Sequence, residues 1–181
     1  MDKLAFLDGD AVSVARRLLG CVLEREYDGQ MIRGRITEVE AYDQTDAASH
    51  SYRGKTEHTA VMFGPAGHLY VYFTYGMHYC CNVVVGQPGY GAAVLIRAVE
   101  PLAGQDIMLA NRHGRGGAEL TNGPAKVCQA FGIDKRLNGH DLRHAPLRLL
   151  PGGAVSPEQI SATPRIGISR AVDAPWRFML R

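Results

Sequence analysis

Two tight glycine turns, each set between segments patterned as strands, fix the kind of sheet this chain can build. Asp28-Gly29 separates residues 21–26 from 31–42, and Tyr75-Gly76-Met77-His78 separates 69–74 from 79–85. Asp-Gly supplies the positive φ angles of a short hairpin turn, and the flanking segments are rich in β-branched and aromatic side chains. Strands that arrive in hairpins are antiparallel, so a regular alternation of strand and crossover helix is excluded. Residues 91–99 read as a further strand, apolar except for Arg97. Shorter strands are expected at 147–150, 165–169 and 176–180.

Helix signals fill the gaps. Asp10 precedes an apolar stripe with Val14 and Leu18, and Gly20 follows it, giving a capped helix over 10–20. Residues 101–112 read as a helix with Pro101 in its first turn, and 122–132 as one with Pro124 near its start and Gly132 at its end. The expectation is one α+β domain over residues 1–181, with a curved, largely antiparallel β-sheet flanked by helices and a protruding β-hairpin.

At 181 residues the chain is long enough for one sizeable core. Its longest apolar run, residues 92–96, is far short of the roughly 20 residues of a membrane span, and the first residues lack the pattern of a secretory signal. No membrane association and a cytoplasmic, nucleoid-associated location are therefore expected. Cys21, Cys80, Cys81 and Cys128 have neither metal-site nor disulfide-framework spacing, and the histidines form no metal motif. Structural thiols, no metal and no cofactor follow as expectations.

Charge is uneven along the chain. Residues 1–60 carry net −3, 61–100 are neutral, and 101–181 carry net +5. The neutral stretch holds Phe63, Tyr70, Tyr72, Phe73, Tyr75, Tyr79 and Tyr90. An aromatic centre beside a basic third suits a polyanion, and it equally suits an ordinary solvated surface.

Three groups of residues have the chemistry for a site. On a strand, Ile32, Ile36, Glu38, Glu40 and Tyr42 share one face, so two carboxylates emerge beside apolar neighbours. A carboxylate against apolar walls serves as a general base; a solvated pair at a strand end is the plain alternative. Arg97, alone in an apolar strand, needs an anion, either Glu38, Glu40 or a ligand phosphate. Tyr75 and Met77 fall at a hairpin tip, where they form a wedge for a base step or fold back on the core. Tyr72 and Tyr42 then offer rings to a displaced base.

The motifs Glu38-Val39-Glu40-Ala41-Tyr42, Ser49-His50-Ser51, Met62-Phe63-Gly64-Pro65, residues 69–78 with Asn82, 95–101, 123–130, Arg165-Ile166-Gly167-Ile168 and Pro175-Trp176-Arg177-Phe178 follow in an order that resembles the alkyladenine (3-methyladenine) DNA glycosylase family, in its bacterial form. The resemblance spans nearly the whole chain. It implies a monofunctional, monomeric enzyme acting on double-stranded DNA that contains damaged purines, alkylated or deaminated. Such an enzyme flips the purine out and hydrolyses its N-glycosidic bond with water in base excision repair. By the same resemblance Glu40 is the general base, and Arg97 with the backbone carbonyl of Ile166 completes the cradle of the water. Tyr42, His50 and Tyr72 are walls for the flipped base, and Asn82 crowds the 2-amino group of guanine. Tyr75 is the intercalating wedge, and Met77 lines the minor groove. Two other readings share parts of this pattern: a non-catalytic nucleic-acid module, and a nucleoside hydrolase that needs no wedge.

Overall fold

The protein is seen here as a computed structural model that describes residues 2–181. Asp10 caps helix α1 (Ala11–Leu18), its side chain accepting from the Ser13 N–H at 2.9 Å, and Val14, Ala15 and Leu18 form the buried face. Strands β1 (Val22–Tyr27) and β2 (Gln30–Tyr42) are joined by Asp28 and Gly29, both at positive φ, as the turn chemistry requires. Strands β3 (Leu69–Thr74) and β4 (His78–Val84) make the second hairpin, and β5 (Ala93–Ala103) returns beside β4. Helices α2 (Gln105–Asn111) and α3 (Pro124–Phe131) follow, α3 beginning with Pro124 and ending at Gly132 in the left-handed region. The short strands β6 (Leu147–Leu150), β7 (Ile160–Thr163) and β8 (Arg177–Leu180) complete the chain.

All the strand pairs are antiparallel. The order is β3-β4-β5-β2-β1-β6, with β8 paired to β2 and β7 to β8, in one curled, half-barrel sheet. β5 runs along one edge of β2, while the other edge is shared: β1 pairs with Gln30–Arg35 and β8 with residues 38–40. The sheet therefore forks in the middle of β2.

The fork coincides with an irregularity that decides where the site lies. Between Ile36 and Val39, β2 carries Thr37 without a partner; opposite it, between Val99 and Ile96, β5 carries Arg97 without one. Regular alternation puts residues three apart on opposite faces. Here Ile36 and Val39 are both fully buried in the main core, as are Ile96 and Val99. Facing bulges have shifted both strands by one face. The expectation that Ile32, Ile36, Glu38, Glu40 and Tyr42 share a face is thus corrected: Ile32 and Ile36 join Val39 and Ala41 in the core, and the carboxylates turn to the opposite side.

The helices cover the core face, where Leu18, Leu23, Ile96, Phe131 and Phe178 pack together. Two further expectations are corrected. Residues 101–103 extend β5 and do not open a helix: Pro101 pairs with Gly34 beside a bulge at Leu102, where its missing N–H is tolerated. α2 begins only after Gly104, whose φ of +71° turns the chain and whose Cβ position lies 2.6 Å from the Met31 carbonyl oxygen. Residues 165–169 are a loop, with Gly167 at φ +74°, and the strand before it is β7.

Candidate active site

The second half of β2 delivers Glu40 to the floor of a cavity of about 560 Å³, on the side of the strand away from Ile36, Val39 and Ala41, with Pro124 at the start of α3 on its border. Glu40 is fully buried, a costly place for a carboxylate unless each oxygen is satisfied. Both are. Oε2 accepts from the Tyr42 hydroxyl at 2.8 Å; Oε1 accepts from the Ile166 N–H at 2.7 Å and lies 3.4 Å from Arg97 Nη1. The requirement that Arg97 find an anion is met twice, because its Nε also donates to Glu38 Oε1 at 2.9 Å. Arg177 Nε donates to the same oxygen at 2.6 Å. Two carboxylates and two guanidiniums thus neutralise one another across β2, β5 and β8.

Tyrosine and histidine form the walls. Tyr42, His50, Tyr72 and Asn82 all border the cavity, as does Cys80, while Cys81, its neighbour, faces the core. The His50 ring stands edge-on to Tyr72, with centroids 4.5 Å apart, and its Nδ1 lies 3.0 Å from the Tyr70 hydroxyl. His50 is exposed as a whole residue, yet its ring is crowded by the tyrosines, and the loss of water lowers its pKa below the ordinary value. Burial likewise raises the phenol of Tyr70 to about 12 and those of Tyr42 and Tyr72 higher still; the charge of Glu40 adds to the effect on Tyr42. The Cys80 thiol is pushed up to about 11, again chiefly by burial, which suits a wall and not a nucleophile. Asn82 is buried and fixed by its Nδ2 donating to the Tyr70 carbonyl at 3.1 Å.

The hairpin tip stands at the rim. Tyr75 is 83% and Met77 70% exposed, so the tip does not fold back on the core. Tyr75 takes φ +51° and Gly76 φ +68°, a turn that holds the Tyr75 ring at the cavity mouth. For a tyrosine that left-handed backbone is uncommon and mildly strained.

The structure brings together Glu40, Arg97, Tyr42, His50, Tyr72, Asn82 and Ile166 around one cavity, with Tyr75 at its edge and Met77 beyond it on the tip. The Ile166 peptide meets Glu40 through its N–H.

Sequence reasoning missed the clamp behind this wall. Arg165 and Asp46 form a buried, two-pronged ion pair; the guanidinium also donates to the carbonyls of Ala41 and Ala171. It lies over the rings of Tyr42 and Trp176, 4.7 and 5.1 Å from their centroids. The signal was an Arg immediately before Ile166 in a stretch otherwise patterned as a strand. Its partner lies 119 residues away, beyond any local pattern.

Comparison with known proteins gives the same direction. The profile of a family described as methylpurine-DNA glycosylase (MPG) matches residues 5–181. A provisionally named 3-methyladenine DNA glycosylase of Carboxydothermus hydrogenoformans is 52% identical over 177 residues, covering 97% of this chain and 93% of the relative. One of Methanoculleus marisnigri, with the same provisional name, is 49% identical over 180 residues, covering 98% of this chain and 93% of the relative. The chain belongs to the methylpurine-DNA glycosylase family, DNA-repair hydrolases of N-glycosyl bonds.

Proposed function

We propose that this enzyme flips alkylated or deaminated purines, such as 3-methyladenine or hypoxanthine, out of duplex DNA and releases them by attack of water at C1′. The reading is carried by Glu40: a fully buried carboxylate, held at both oxygens, at the floor of a cavity walled by tyrosines. Glu40 takes a proton from the water as the C1′–O bond forms and the C1′–N bond breaks, its electron pair leaving with the purine. An abasic site remains. The charge of Glu40 also favours the positive sugar that develops as the base departs.

Arg97 orients Glu40 and the water, and the carbonyl of Ile166 is the second acceptor for that water. The flipped base lies between the Tyr42, His50 and Tyr72 walls, and Asn82 crowds the position of a 2-amino group. Alkylation at N3 or N7 makes the base cationic, which both improves it as a leaving group and favours stacking on tyrosine faces. Tyr75 fills the vacated base step and Met77 lies along the minor groove; their exposure at one tip supports these roles.

The test is single-turnover release from duplexes that carry one ethenoadenine or hypoxanthine, and from methylated DNA, with alkali revealing abasic sites. Wild type is expected to release a base from at least one of them. Glu40→Gln should bind the lesion and release nothing. Turnover by Glu40→Gln at the wild-type rate removes the general base from this reading, and silence of the wild type on every substrate ends it.

A further inference from the structure

Glu38 is the second carboxylate of β2, and the proposed reaction gives it no task. Among the described residues lining the cavity, Arg97 is present, while Glu38 and Arg177 stand behind it. All three are sheltered, with side chains 13–20% exposed, so water does not easily replace their pairing.

We infer that Glu38, anchored by Arg177, is a positioning residue that holds Arg97 by its Nε edge and thereby limits its pairing with Glu40. The inference rests on Glu40 being the general base. A guanidinium is a rigid fork that closes most strongly on a carboxylate with two parallel N–H···O bonds. Were Arg97 free, Glu40 would be the anion to attract such a fork, since it is fully buried. A closed fork on Glu40 would take one lone pair of each oxygen and compete with the Tyr42 hydroxyl and the Ile166 N–H, the two donors that set the orientation of the carboxylate. Glu38 prevents this by geometry. Its oxygen holds Arg97 Nε at 2.9 Å, closer than the 3.4 Å between Arg97 Nη1 and Glu40. Glu38 itself is kept from following Arg97 by the 2.6 Å bond from Arg177, and Arg177 Nη1 reaches Thr163 Oγ1 on β7 at 3.4 Å. The facing bulges at Thr37 and Arg97 let both acids and the guanidinium meet on one side.

The test uses Glu38→Gln, which keeps shape and removes charge, in wild-type and Arg97→Gln backgrounds, with a duplex containing one 7-methylguanine. Glu38→Gln should slow single-turnover release by about 10- to 100-fold, the scale of a displaced positioning group. Its affinity for the lesion duplex should stay within about threefold of wild type. In the Arg97→Gln background the same change should cost nothing further, because a group acting through Arg97 has nothing left to act on. Arg177→Gln approaches the chain of bonds from β8 and should lower the rate in the same direction, which decides the matter if Glu38→Gln folds poorly. Wild-type rates in both single variants, additive losses in the double variant, or a loss confined to affinity would overturn the inference. A wild type that releases no base sinks the reading of Glu40 and this inference with it; a normal wild type with a normal Glu38→Gln sinks only the inference.

Discussion

Arg165 supports the site from beneath. Its guanidinium fixes Asp46, the Ala41 carbonyl and the Tyr42 ring, and its backbone leads directly to the Ile166 N–H on Glu40. Arg165→Met leaves Asp46 as an uncompensated buried charge, and the expected loss is about 3–5 kcal/mol of stability by urea unfolding. Adding Asp46→Asn should recover part of it, since the stranded charge is then gone; no recovery would mean that the ion pair is not the source of the loss. His50 carries a different expectation. Its lowered pKa keeps the ring neutral at pH 7, so it adds no repulsion toward a cationic base. As pH falls below the ordinary histidine value of about 6.5 the ring begins to gain charge. In a Glu40→Gln background, affinity for a 7-methylguanine duplex should therefore weaken toward acid, and affinity for an uncharged ethenoadenine duplex should not share that loss. His50→Gln should flatten the difference; equal slopes for both lesions would remove His50 from the account. Glu40 and Arg97 stand out in the sequence because charge amid apolar neighbours demands an explanation. Arg165 and Asp46 do not: Arg165 stands at the start of a stretch patterned as a strand, Asp46 lies in a polar segment, and only the fold joins them.

The hairpins and capped helices were visible in the sequence because their causes are local: Asp28-Gly29 for one turn, Asp10 and Gly20 around α1, Pro124 and Gly132 around α3. The bulges were not. Thr37 carries no mark of being unpaired, and a strict period of two places Glu40 with Ile36; only the demand that both Ile36 and Val39 be buried against the same helices reverses it. Pro101 misled for a related reason, because proline suits a helix start as well as a strand bulge. The forked strand makes a stability prediction. Gly34 lies on β2 where a Cβ would sit 2.9 Å from both Phe131 Cζ and Val99 Cγ2. Gly34→Ala should cost about 1–3 kcal/mol through overpacking, read as a lowered urea midpoint with unchanged slope. A neutral result would mean that α3 shifts freely against β2.

At the scale of the whole molecule, the main apolar core and the polar chemistry of the cavity lie on different sides of the sheet. Its helix-covered face holds the apolar core, and its other face holds the acids, guanidiniums and tyrosines of the cavity, with the tip projecting beyond. Changes at exposed positions around the cavity should leave the core undisturbed, unlike changes at the buried Arg165–Asp46 pair. Tyr75 offers the cleanest case, because an 83% exposed ring contributes little to folding. Tyr75→Ala should alter unfolding free energy by no more than about 0.5 kcal/mol, as surface substitutions generally do. On the wedge role proposed for Tyr75, base release from duplex DNA should nevertheless fall, while release from a single-stranded oligonucleotide with the same lesion should change far less: no partner stack has to be opened there. Combined with Gly34→Ala, the two effects should add, Gly34→Ala setting the unfolding midpoint and Tyr75→Ala the duplex rate, because the sites share no contacts. A duplex rate unaffected by Tyr75→Ala would make the tip a mere turn and return the nucleoside hydrolase to consideration. A stability loss of several kcal/mol would instead show that the tip is part of the core it projects from.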